Sequence, residues 1–145
     1  MKQKFLLLIF SALLLSPTCS KEIALPDPEL KKIFGKWEWV ESSGGFAGKI
    51  ITPEQTGHAS SIEFSSRGVY QYFKDNALTD RKHFSITEGK SIYTGGTAFI
   101  VSYSINDSLF RGSLQNQSVS FKGSDTLLLK EECHDCFSTV WVKKK

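Results

Sequence analysis

The chain has little of what most enzymes and metal proteins rely on. Among 145 residues there are three cysteines and three histidines, and only Cys133 and Cys136 form a close pair. A structural zinc site usually takes two such pairs. Cys133, His134 and Cys136 have no second pair, so no metal is expected. No G-x-S-x-G elbow is present to expose a nucleophilic serine, and no glycine loop to cradle a phosphate. Carboxylates show no convergent spacing. These absences argue against an enzyme and against a bound cofactor. Eighteen basic residues against 15 acidic ones also leave out the strongly basic face that nucleic acid or anionic lipid would need. The closing Lys143-Lys144-Lys145 reads as a solvated tail. No repeat period and no low-complexity segment is evident, and nothing after Gly35 is long enough for a crossover helix.

What is present begins at the front. Lys2 and Lys4 precede an apolar run from Phe5 to Leu15, interrupted only by Ser11. Ser16-Pro17-Thr18 then leads to Cys19. This is the layout of a secretory signal whose apolar part is too short to span a bilayer stably. A cysteine directly after the apolar core, followed by polar Ser20-Lys21-Glu22, resembles the processing site of bacterial lipoproteins. That resemblance implies a signal peptide over residues 1–18, acylation of Cys19 with palmitate-type chains, and a Pro-bearing tether over 19–27. It also implies a bacterial cell-envelope location, anchored in the outer membrane on its periplasmic or surface face. Plain cleavage with a free thiol and an uncleaved anchor are the alternatives. Loss of residues 1–18 removes Lys2 and Lys4, leaving 16 basic and 15 acidic residues. About 127 residues remain, enough for one domain with its own core.

In that domain, residues 28–145, Pro28 to Phe34 is spaced for one helical turn, and Gly35 ends it. Strands and turns follow. Lys36–Ser42 is aromatic and branched, and Gly44-Gly45 breaks it. Ile62 and Phe64 share one face of a strand, Ser66-Arg67-Gly68 turns, and Val69–Lys74 returns as its hairpin partner. Lys74-Asp75-Asn76 turns again, and Arg81–Thr87 continues. From Ala98 to Ile105, Phe99, Val101, Tyr103 and Ile105 face one way and Ile100, Ser102 and Ser104 the other. Further strands are expected at Ser108–Leu114, around Val119 and Phe121, at Thr126–Lys130 and at Phe137–Lys143. Without crossovers, sequence neighbours should pair antiparallel. About eight such strands avoid exposed edges most simply by closing into an up-and-down barrel. An open β-sandwich is the alternative.

Gly35-Lys36-Trp37 at the head of this meander matches the G-x-W signature of lipocalins. The domain resembles the small lipocalin-like lipoproteins of Gram-negative bacteria. The resemblance continues through Gly44-Gly45-Phe46, Thr52-Pro53, Ile62-Glu63-Phe64, Val69–Tyr72 and Asp125-Thr126-Leu127 to the cysteine-bearing turn at Cys133. It implies that Trp37 plugs one barrel end while a basic residue of the last strand, here Lys143, lies across the ring. The residues agree with that role: Gly35 lets the chain bend sharply, and Trp37 is a large apolar body whose indole N–H needs a partner.

Cys133-His134-Asp135-Cys136 falls in a turn between strands. Glu131, Glu132 and Asp135 would raise a thiol pKa there rather than lower it. A structural disulfide is expected, with redox chemistry or free thiols as alternatives. Small barrels are either filled by side chains or hold one ligand. Phe64, Tyr70, Tyr72 and Phe99, with Val101, Tyr103 and Phe121, are candidates either to line a cavity or to fill it. The expected function is non-catalytic binding of a small hydrophobic or amphipathic ligand by a membrane-anchored barrel. The alternatives are an interaction lipoprotein working through its loops, such as Ser42 to Ala59, with protein partners unspecified, and an envelope thiol protein.

Overall fold

A computed structural model describes residues 21–104 and 115–145. The signal segment, Cys19, Ile105 and the strand expected at Ser108–Leu114 lie outside the described residues. Asp27 opens a short 3-10 helix, Pro28–Ile33, by accepting from the Glu29 amide at 2.8 Å. Pro28 suits the first position because an N–H there would have no intrahelical partner, so proline's lack of one loses nothing. Leu30 and Ile33 bury their side chains beneath the barrel that follows.

The strands are β1 (Gly35–Gly44), β2 (Lys49–Ile51), β3 (Ser60–Phe64), β4 (Val69–Lys74), β5 (Ala77–Lys90), β6 (Thr97–Ser104), β7 (Gln117–Lys122), β8 (Thr126–Glu131) and β9 (Phe137–Lys143). One helical turn, α1 (Pro53–Thr56), sits between β2 and β3. Every pairing is antiparallel, and the order is β2-β1-β3-β4-β5-β6-β7-β8-β9. β9 then returns to pair with β1, from Trp37 opposite Lys143 to Gly44 opposite Phe137, with a bulge between Trp39 and Glu41. The result is a closed eight-stranded barrel, with β2 as a ninth strand paired to the far end of β1. Among the described residues, the β1–β9 pairing joins the two ends of the eight-stranded sheet, where a sandwich would leave them apart. Among the described residues no helix is long and apolar enough to cross a membrane.

Inward positions alternate along each strand, as the pleat requires. Trp37, Ile62, Phe64, Ile86, Val101, Val119, Leu127 and Leu129 form one buried cluster with the two residues of the 3-10 helix. Ile23 and Leu25 pack against it from the N-terminal segment, and the Ile23 amide donates to Ser66 O at 2.8 Å. Three elements differ from the sequence reading. β2 and α1 emerge within a stretch expected to be loop, and β5 starts at Ala77 rather than Arg81. The last difference has a local cause: Asp75 and Asn76 both take positive φ, 50° and 66°. They form a two-residue hairpin turn, so Lys74 pairs directly with Ala77.

Candidate functional site

The two ends of the barrel differ. At the end where β1 begins, Gly35 has φ +115°, a conformation that side chains other than hydrogen disfavour. A Cβ there would stand 3.3 Å from Lys143 Cε. Gly35 therefore leaves room for Lys143, whose Nζ lies 4.3 Å from the centre of the Trp37 ring. The same ammonium donates to Lys32 O at 2.7 Å and Phe34 O at 2.6 Å. Burial pushes the Lys143 pKa down. Trp37 itself is fully buried, and its indole N–H donates to Ile33 O at 2.7 Å. Phe121 stands 6.2 Å from it, centre to centre. This end is closed and filled.

The middle of the barrel is packed as well. Phe64 is fully buried, edge-on to Phe84 at 4.9 Å and tilted against Tyr70 at 5.3 Å. Val101 is fully buried, and Phe99 packs at the margin of the core.

Toward the other end the interior opens into a cavity of 320 Å3. It is lined by Tyr70, Tyr72, Asp80, Gln117, Leu129, Glu131, Thr139 and Trp141. This falls at the small end of the range of ligand pockets, about 300–1,000 Å3. Of the seven aromatic and branched candidates named from sequence, Tyr70 and Tyr72 line the cavity. Tyr103 reaches its wall by donating from its hydroxyl to Gln117 Oε1 at 2.8 Å. Phe64, Phe99, Val101 and Phe121 are not among the lining residues.

Asp80 and Lys82 were not singled out from sequence, yet they give this cavity its chemistry. On β5 they share the inward phase of Phe84 and Ile86. The Lys82 side chain is 3% exposed and donates to Asp80 Oδ2 within the wall. A charge in step with two inward apolar residues was the signal available. The other carboxylate oxygen, Asp80 Oδ1, is buried and has no hydrogen-bond partner among the described residues. Around it several polar groups are matched. Tyr72 and Ser60 share a hydrogen bond at 2.8 Å, and the Trp141 indole N–H donates to Thr139 Oγ1 at 2.7 Å. Glu131 Oε2 accepts from the Phe137 amide at 3.0 Å. Burial pushes the Tyr70 hydroxyl pKa up, and the charges of Asp80 and Tyr72 add to this. Burial also raises Tyr103, with Tyr70 and Glu131 contributing. Both phenols stay protonated at neutral pH, and that of Tyr103 serves as a donor to Gln117.

Cys133 and Cys136 are bonded in the β8–β9 turn, with Cα atoms 5.6 Å apart. Glu131 lies beside the two sulfurs, but a disulfide offers no thiolate to a metal. This turn holds the β5–β6 loop. The Glu132 carboxylate accepts from Ser91 Oγ at 3.0 Å and from the Ile92 amide at 2.8 Å. The Tyr93 hydroxyl donates to Cys133 O at 2.6 Å, and Lys130 Nζ stands 3.2 Å from the centre of the Tyr93 ring. The loop thus lies along the outer row formed by Ile100, Ser118 and Lys130. Ile100, in that outward row, is buried and lies beside Gly89 of β5. His58 stacks on Trp39 at 6.2 Å, and His83 is exposed on β5. Neither approaches a nucleophile among the described contacts.

The fold and site define a closed antiparallel β-barrel with one filled end and one partly open, polar-walled cavity. Comparisons with protein-family models, with curated proteins and with solved structures each gave no match to this chain.

Proposed function

We propose that this protein is a non-catalytic binding barrel that takes a small amphipathic molecule into its upper cavity. The observation that carries the reading is the 320 Å3 cavity above a packed floor, walled by three aromatic rings and Leu129 on one hand and by Asp80, Gln117, Glu131 and Thr139 on the other. That combination is what ligand pockets share. The G-x-W corner at Gly35 and Trp37, with Lys143 over the ring, supports a lipocalin-like kinship. The signal layout and Cys19 support an acylated, envelope-anchored lipoprotein, tethered through residues 19–27. Native mass spectrometry of protein purified from its own membrane tests both parts. The expected spectrum shows a retained small molecule and a chain beginning at an acylated Cys19. A chain of unprocessed mass would end the lipoprotein reading. An empty barrel that also takes up no added amphiphile would end the binding reading.

One observation favours a second reading, an interaction lipoprotein acting through the loop from Ser42 to Ala59. Phe46, between β1 and β2, is 97% exposed, and Ile50 is 54% exposed beside it. If this reading holds, Phe46→Ser abolishes capture of a protein partner and leaves uptake by the cavity intact.

A further inference from the structure

Resting on the binding reading above, we propose that the cavity selects amphiphiles whose polar end is a cationic donor, an alkyl primary ammonium being the simplest case. The argument is one of donors and acceptors. Inside the wall, the Trp141 indole N–H is taken by Thr139, the Tyr103 hydroxyl by Gln117 and the Lys82 ammonium by Asp80. Tyr72 and Ser60 share one hydrogen bond. Of the fully buried side-chain polar atoms, the one without a partner among the described residues is an acceptor, Asp80 Oδ1. A buried acceptor without a donor is costly, and a ligand that brings one recovers that cost.

Charge points the same way. Asp80 and Glu131 face the cavity as two carboxylates, against the single ammonium of Lys82. The formal balance is one negative charge. An anionic head group would meet both carboxylates and would have to take Lys82 from the partner it already has. That repulsion discriminates as strongly as the attraction does. Below the polar rim, Leu129 and Trp141 offer apolar surface for a chain. The site therefore places a cation beside the Asp80 and Glu131 carboxylates and a hydrocarbon tail toward the core.

The test is binding of decylamine, decanol and decanoate to the mature protein, below micelle formation and at neutral pH, read by tryptophan fluorescence and native mass spectrometry. Decylamine is expected to bind at least about tenfold more tightly than decanoate, a ratio that one charge-assisted hydrogen bond can supply. Glu131→Gln, which leaves the Asp80–Lys82 pair in place, should shrink that ratio. The double substitution Asp80→Asn with Lys82→Met, which removes one charge of each sign and keeps Glu131, should reduce the ratio to the part that Glu131 supplies. Decanoate binding as tightly as decylamine, or a ratio untouched by both variants, overturns the inference while the binding reading stands. If none of the three probes binds, the binding reading fails and this inference with it.

Discussion

Lys143 spans the seam where the barrel closes: its ammonium covers the ring of Trp37 at 4.3 Å and caps two carbonyls of the N-terminal helical turn. One side chain on the last strand thereby fixes the first strand and the 3-10 helix together. Trp37 completes the arrangement from β1, since its indole N–H reaches Ile33 O in the same turn. The closed end thus forms a unit of residues far apart in sequence.

Trp37→Ala should cost about 3–5 kcal/mol, as for other fully buried aromatic truncations. Lys143→Met, which keeps the stem and removes the charge, should cost about 1–2 kcal/mol from the lost cation–π contact and carbonyl bonds. Urea unfolding followed by circular dichroism measures both. An unchanged midpoint for Lys143→Met would show that the contact contributes nothing.

The closed end was far more legible in the sequence than the open one, and the reason is physical. Where the core is packed, inward residues are apolar and outward ones polar, so Ile62 and Phe64, or Phe99 and Val101, declare their face by alternation. Near the cavity the rule inverts. On β5, Leu78 points outward at 43% exposure while Asp80 and Lys82 point in. A reading that seeks apolar alternation therefore begins the strand at Arg81 and passes over the two residues that mark the site. The turn at Asp75-Asn76 held the correction, because Asn and Asp tolerate positive φ. β2 was illegible for a different reason. Three residues between Gly48 and Thr52 are too few to show a period, and pairing with β1 alone creates them as a strand.

Loop attachment should depend on pH through Glu132. Burial tends to raise its pKa, but hydrogen bonds from the Ile92 amide, Ser118 and Ser91, with the charge of Lys130, bring it below the ordinary 4.5. Lys130, Tyr93, Glu131 and Asp135 are the other ionisable groups around this contact. A carboxylate with a lowered folded-state pKa stabilises above the unfolded value and loses that stabilisation as pH falls through the folded one. Protection of the Ile92 amide from hydrogen exchange, corrected for intrinsic rate, should therefore hold at neutral pH and decline below 4.5. Glu132→Gln should flatten that decline, and a profile identical to the parent's would exclude Glu132 as its source.

The Cys133–Cys136 bond closes a very short loop, so its chain-entropy contribution is small, about 2 kcal/mol. Replacing both cysteines by serine should lower stability by roughly that amount and leave the barrel's circular dichroism intact. The Tyr93 hydroxyl bonds to the backbone of Cys133, so the β5–β6 loop should gain exchange at Ile92 in the same variant. Loss of the barrel altogether would show that the turn is required for closure between β8 and β9.

The Asp80–Lys82 pair lends itself to a double-mutant cycle. Asp80→Asn leaves the Lys82 ammonium inside the wall without its counter-charge, and should cost about 3–5 kcal/mol, as other broken buried pairs do. Lys82→Met alone removes the partner of Oδ2 in a carboxylate whose Oδ1 is already unmatched, and should cost a similar amount. The double variant replaces charge with an amide and a thioether of similar shape, and should recover most of the loss. Thermal unfolding of the four proteins at neutral pH measures the coupling. Additive single and double effects would mean that the two groups do not share an interaction. A double variant as stable as the parent would show that the wall keeps a costly pair of charges where an uncharged pair folds at least as well, the pattern expected when buried polarity is retained for recognition.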